Sequence, residues 1–178
     1  DIGLALCAEM KRECRFQQMD WEGLIPALKT HKIDAIVASM NDTPERRESI
    51  SFTDPYYSNP GLFARPVGSK IEPMADGVKG KVVGVLRASI FDSYVTAKFP
   101  DADIQRYTSQ EEANQDALAG RVDLLFADKI VMEEGFLQRD EGKDFEAVGP
   151  EENDKKYFGE GISIAVRKED GKLREAFN

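Results

Sequence analysis

The sequence predicts an α/β fold made of two similar sets of elements, and three observations carry that prediction. Near-continuous apolar runs at residues 33–38, 82–86 and 122–127 have the length and character of strands buried on both faces of a parallel sheet. Between them lie stretches with helical spacing and helix-start signals. The segments LKTHKIDAIVAS (28–39) and LAGRVDLLFAD (118–128) also echo each other: helix end, basic residue, apolar-Asp pair, then a buried strand.

In the first set, apolar residues at Ile2, Ala5, Leu6 and Met10 predict a helix over 2–12. Residues 16–19 read as a short strand, and 24–30 as a helix with Pro26 in its first turn. The run 33–38 is the buried strand. Thr43 and Pro44 then form a helix start, Thr as N-cap and Pro at the first helical position, ahead of Glu45, Arg46, Arg47 and Glu48. Residues 50–52 and 62–64, with the Asp54-Pro55 turn between them, lead out through a crossover at Tyr57, Ser58, Asn59 and Pro60.

The second set repeats the order, with a strand at 82–86, a helix at 89–99 and a strand at 104–107. A capping box pairs Thr108 with Glu111. The following helix stops at Gly120, and a strand over 122–127 closes on Asp128. Residues 145–148 and 162–166 are further strands, and the chain runs to Asn178 in a helix. Ser39 follows Asp34 by five positions, as Asp128 follows Asp123, so both are placed at carboxyl ends of parallel strands, where open α/β sheets bind ligands. Each set thus offers one polar group to a cleft.

Composition narrows the partners. The 178 residues are 41% hydrophobic and 32% charged, enough to bury a core. A net charge of -9 argues against nucleic acid and against an anionic membrane surface. No apolar run approaches the ~20 residues needed to span a bilayer, so any export signal lies upstream. Cys7 and Cys14 have neither CxxC spacing nor a nearby His, which disfavours metal. They read as a disulfide or as two free thiols. Seven residues of unbroken helix rise about 10 Å, beyond disulfide reach, so pairing requires the first helix to end near residues 11–13. A disulfide implies an oxidising, extracytoplasmic compartment.

Arg46 stands near the start of a capped helix, where a guanidinium can take a carboxylate through two parallel hydrogen bonds. The alternative is a solvated arginine in an ERRE run, paired with Glu45 or Glu48. Asp128 and Ser89 read equally as helix N-caps, and Trp21 as core or as an aromatic platform. His31, the single histidine, lies in a basic turn and has no assigned role.

The run AIVASMNDTPERRESISFTDPYYSN (35–59) resembles the polar amino-acid family of bacterial periplasmic solute-binding proteins of ABC transporters. So do GKVVGVLRAS from Gly80, LAGRVDLLFAD from Leu118 and KKYFGEGISIAVRKED over 155–170, so that nearly the whole chain is covered. The likeness is greatest to the lysine/arginine/ornithine- and histidine-binding branch, with a chain truncated at both ends. The resemblance implies a two-lobed type II periplasmic binding protein fold, each lobe a mostly parallel sheet flanked by helices. Residues 1–59 with 159–178 would form lobe 1, incomplete, and 60–158 lobe 2, joined by two crossover hinges near 58–60 and 158–161. Cys7 and Cys14 match the branch's disulfide pair.

Carried over residue by residue, the resemblance makes Arg46 the clamp on the ligand α-carboxylate, with Ser89 assisting, and Asp128 the acceptor of the α-ammonium. Ala38, Ser39 and Asn41 would line the pocket, Trp21 would pack on the ligand side chain, and Leu86 would form the opposite wall. Ala38 and Asn41 stand where serines are usual, and Ile90 where a threonine is, which changes the hydroxyls offered to the ligand. The family's first strand, ahead of Asp1, would supply an acidic residue and an aromatic wall. The implied function is periplasmic binding of a polar, cationic amino acid (arginine, lysine, ornithine or histidine, or an opine) by a monomer that delivers it to a membrane permease. No cofactor, metal or nucleic acid is expected. Two other functions share the fold. A cyclohexadienyl dehydratase-like enzyme would need a placed general acid that the sequence does not offer, and a receptor's ligand-sensing domain would carry a membrane span further on.

Overall fold

The computed structural model describes residues 2–178. In chain order the elements are α1 (Ile2–Glu9), a 3-10 turn (Trp21–Gly23) leading into α2 (Leu24–Lys29), α3 (Pro44–Arg47), β1 (Ser51–Phe52), β2 (Gly61–Pro66), β3 (Val82–Leu86), α4 (Ile90–Lys98), β4 (Asp103–Tyr107), α5 (Gln110–Leu118), β5 (Leu124–Asp128), α6 (Lys129–Met132), a π-helical turn (Glu133–Leu137), β6 (Phe145–Glu152), α7 (Lys155–Phe158), β7 (Ala165–Val166) and α8 (Gly171–Phe177). They form two compact units, Asp1–Ser58 with Phe158–Asn178, and Asn59–Tyr157.

In the first unit α1 ends at Glu9, and Lys11 adopts a left-handed φ of 53°. That reversal brings Cys14 back onto Cys7 in a disulfide with a Cα separation of 6.1 Å. The helix stops slightly earlier than the spacing argument requires. Residues 16–19, expected as a strand, join no ladder. Residues 33–38, expected as a parallel strand buried on both faces, make only an antiparallel bridge from Ile36 to Ala165, and Val37 is exposed. An apolar run becomes a strand only where a neighbour supplies a hydrogen-bonding edge, and among the described residues β7 is the single neighbour of this run.

Arg167 does the fastening that a ladder would otherwise do. Its Nη1 donates to the carbonyls of Leu28 (3.2 Å) and Ile33 (2.7 Å), and its Nη2 to Asp34 (2.9 Å). The end of α2 and the start of the 33–38 segment are thereby tied to the residue following β7. Leu24, Leu28, Ile36, Met40, Ile50, Phe52 and Ala165 close into a core, with Trp21 and Ala38 packed against it. β1 pairs with β7 antiparallel.

The second unit is a five-stranded mixed sheet in the order β4-β3-β5-β2-β6. Its β4-β3-β5 strip is parallel, and β2 joins β5 and β6 antiparallel. One face carries Tyr107, Ala113, Ala117, Leu125 and Phe136. On the other Phe63 stacks on Phe126 at 3.9 Å, with Phe91 and Tyr94 packed on Phe126. The capping box falls one residue later than expected, Ser109 with Glu112, while Thr108 also donates to Glu112. The strand expected over 122–127 is observed at Leu124–Asp128; Asp123, just ahead of it, is still tied to the start of β3, its amide donating to the Val82 carbonyl (2.9 Å) and its carboxylate accepting from the Val82 amide (2.8 Å). β6 runs on to Glu152, past the expected 148.

Candidate functional site

In the first unit Thr43 caps α3, its hydroxyl oxygen accepting from the Arg46 amide at 3.3 Å. This places two arginines side by side at the helix end, and their partners differ. Arg47 forks onto Asp42, whose side chain is wholly buried; Nε donates to Oδ1 at 2.6 Å and Nη2 to Oδ2. Arg46 is half-buried and has no carboxylate partner among the described residues. Its Nη1 donates to the Asn41 carbonyl at 2.9 Å, and its Cζ lies 5.4 Å from the centre of the Trp21 ring. Neither Glu45 nor Glu48 pairs with it, so the ERRE ion-pair alternative fails. Burial pulls the Arg46 pKa down to about 10 against the opposing charge of Glu45, which leaves a charged guanidinium at neutral pH with donors to spare.

The neighbouring residues hold this arrangement in place. Asn41 is buried and donates its Nδ2 to the Phe158 carbonyl at 2.9 Å, so its carbonyl is fixed where Arg46 meets it. Ser39 takes a left-handed φ of 51° and accepts the hydroxyl proton of Tyr57 at 2.6 Å. It is exposed and follows the bridged segment 33–38 rather than a parallel strand. Gly159 (φ +66°) passes so close to the Asp42 carbonyl that a Cβ would lie 1.8 Å from its oxygen. The side of unit 1 bearing Trp21, Asn41 and Arg46 is therefore a fixed platform ending in an unpaired cation.

In the second unit Asp128 lies at the carboxyl end of β5, in the parallel strip, as expected. It is 8% exposed and caps α6, Oδ1 accepting from the Val131 amide at 3.1 Å. Burial raises its pKa; the amides of Val131 and Ile130 and the Asn59 side chain act the other way. Among the described residues no cation pairs with it, and Lys129, next along the chain, is turned to Glu151 and Glu133. Ser89 is buried and caps α4, accepting from the Asp92 amide (3.2 Å) and donating to the Leu86 carbonyl (2.6 Å). Its hydroxyl proton is thus already committed. Leu86 is half-buried at the end of β3.

The structure thus brings Trp21, Asn41 and Arg46 together in one unit, with Ser39 joined to Tyr57. In the other it places Asp128 and Ser89 as caps at neighbouring strand ends. Tyr57 and Asn59 were read from the sequence only as crossover residues. The one available signal was their position in the polar run YYSN directly before β2. Among the described residues no cluster of His, Cys, Asp and Glu could hold a metal, and no helix is long and apolar enough to cross a membrane.

The family described as bacterial extracellular solute-binding proteins, family 3, matches residues 1–178. The L-arginine-binding protein of Pseudomonas aeruginosa is 50% identical over 181 residues, spanning 100% of this chain and 70% of the relative. The lysine/arginine/ornithine-binding periplasmic protein of Escherichia coli is 39% identical over 180 residues, spanning 100% and 69%. Among solved structures, a Salmonella typhimurium periplasmic binding protein described for its high arginine specificity superposes with a TM-score of 0.91 at 30% identity, over 100% of this chain and 78% of that one. An ancestral arginine-binding protein bound to arginine gives 0.89 at 30% identity, over 99% and 77%. The fold is the type II periplasmic binding protein fold.

Proposed function

This chain belongs to the bacterial extracellular solute-binding proteins of family 3, and from that premise we propose that it binds a cationic amino acid, L-arginine foremost, in the periplasm for delivery to the permease of an ABC transporter. The observation that supports this reading best is a pair of ionisable groups without counter-ions among the described residues: half-buried Arg46 in the first unit and buried Asp128 in the second. An unpaired charge in a low-dielectric setting is costly. A zwitterion relieves both, its carboxylate forking onto the spare guanidinium donors and its α-ammonium meeting the carboxylate.

On this reading Trp21, Ala38, Ser39 and Asn41 line the ligand from the first unit, and Leu86 and Ser89 from the second. The chain passes between the units twice, at Ser58/Asn59 and Tyr157/Phe158. Residues 58–60 and 158–161 serve as the hinge, and a ligand held by one ion from each unit draws the closed form out of the open one through contacts that the open form lacks. The preference for arginine rests on the names of the similar proteins.

A thermal-shift screen of amino acids followed by calorimetry tests the proposal, since a ligand that binds only the folded chain raises its midpoint. Arginine is expected to give the largest shift, followed by lysine, ornithine and histidine, with no shift from glutamate or leucine. A profile led by an acidic or apolar amino acid, or flat across the cationic ones, refutes it.

A further inference from the structure

One polar group near Asp128 lacks a completed hydrogen bond. Asn59 opens the second unit, two residues before Gly61, whose Cα partner across the β2-β5 ladder is Asp128 itself. The Pro60 carbonyl accepts from the Lys129 amide at 2.9 Å, which fixes the backbone on either side of the pair. Asn59 is 4% exposed, and its Nδ2 is buried without an acceptor. A buried amide donor left unmade ordinarily costs the fold its full desolvation penalty. Asn59 nevertheless lies against the Asp128 carboxylate closely enough to favour its charged form, although Nδ2 completes a hydrogen bond to no atom.

The carboxylate accepts at Oδ1 from the Val131 amide, the Ile130 amide also favours its charged form, and among the described residues no cation pairs with the group. Two charged groups at this end of the sheet are engaged elsewhere: Lys129 with Glu151 and Glu133, and Glu152, opposite Gly61 on β6, with the Tyr94 hydroxyl. An idle donor thus faces an acceptor that carries no counter-ion.

We infer that Asn59 is a positioning residue for the ammonium grip: when ligand is bound, its Nδ2 donates to the Asp128 carboxylate and holds that group ionised and turned toward the α-ammonium. This deepens the proposed function and rests on it. The side chain acts on the ligand through Asp128, as an asparagine does when it steadies a carboxylate that must stay charged in an apolar setting. The alternative, that Asn59 is an inert filler at the start of β2, leaves its buried donor unexplained.

The test compares arginine binding by calorimetry across roughly pH 4–8, the range in which a raised carboxylate titrates, for the unaltered chain, Asn59→Ala, Asp128→Asn and the double variant. Asn59→Ala is expected to weaken binding about 10-fold at neutral pH and to move the acid limit of binding to higher pH. In the Asp128→Asn background it should cost nothing further, because the group it acts through is gone. Should Asn59→Ala fold poorly by its thermal midpoint, Asn59→Ser is put through the same pH series, and a serine hydroxyl that restores part of the donor should restore part of the shift. Unchanged affinity in Asn59→Ala, an equal loss with and without the Asp128 carboxylate, or a loss with no movement of the acid limit overturns the inference. Asp128→Asn binding as tightly as the unaltered chain sinks the underlying reading, whereas loss in Asp128→Asn alone sinks only the role given to Asn59.

Discussion

Replacing each of the two adjacent arginines with alanine should have opposite consequences. Arg46 commits one of its five donors to the Asn41 carbonyl, leaving enough for a two-bond fork onto a ligand carboxylate. Hydrogen bonds to charged groups contribute about 1.5–3 kcal/mol each. Their combined loss, reduced because water can reach a half-buried site, corresponds to roughly 100- to 1000-fold weaker binding. The fold should not suffer. Burial lowers the Arg46 pKa to about 10, so the folded chain penalises its charged form, and removing the side chain relieves that cost. Arg47→Ala behaves the other way. It strips the partner from a carboxylate whose side chain is wholly buried, and breaking such pairs costs about 3–5 kcal/mol when both members are buried. Because Arg47 is itself 57% exposed, about 2 kcal/mol is a reasonable discounted figure. Calorimetry with arginine and thermal melts of the ligand-free variants read the two effects separately. Arg46→Ala that still binds within tenfold, or Arg47→Ala that loses binding without loss of stability, refutes the division of labour.

Three further outcomes are expected. Gly159→Ala should lower the melting midpoint sharply, by about 2 kcal/mol or more, because a Cβ there would lie 1.8 Å from the Asp42 carbonyl oxygen at a φ of +66°; an unchanged midpoint contradicts the close approach. Reduction of the Cys7–Cys14 disulfide should cost helical circular dichroism equivalent to one short helix, because an 8-residue α1 whose single buried residue is Gly3 cannot hold itself, while arginine affinity stays put; loss of affinity on reduction shows that α1 reaches the site. Arginine affinity should fall with acid sooner than an ordinary carboxylate would dictate: burial raises the Asp128 pKa, the α-ammonium needs the ionised form, and binding at acidic pH must therefore release a proton. For the ligand-free chain the sign is reversed. A carboxyl whose folded pKa lies above its unfolded value adds stability as pH falls through the folded pKa and subtracts it above. Proton release that is absent from calorimetry in buffers of different ionisation enthalpy contradicts the assignment.

Much of the second unit was legible because its signals are local. Val82–Leu86 could be read as a strand from one apolar run, and α4 begins where Ser89 can cap it. The boundaries that moved did so at single residues. Ser109 rather than Thr108 took the cap, and Asp123, just ahead of β5, bonds the start of β3 through both its amide and its carboxylate. In the first unit the pattern misled: residues 33–38 have the composition of a buried strand, but strand formation depends on a neighbour's edge, and the partner they find is Ala165, more than a hundred positions away.

The sequence by itself determined most elements of the second unit, the helix starts at Thr43 and Ser89, the placement of Asp128 at a strand end, and, through the resemblance, the disulfide pair. Each of these depends on residues within a turn or a strand of one another, the range over which periodicity and capping act. Tertiary structure alone decided which arginine of ERRE is free, because Asp42 claims Arg47. It also decided that the Asn41 side chain is spent on Phe158, and that the Asn59 amide is buried without a completed hydrogen bond. Ion pairs and buried hydrogen bonds are contests among groups brought together from distant parts of the chain, and no local pattern records which group wins.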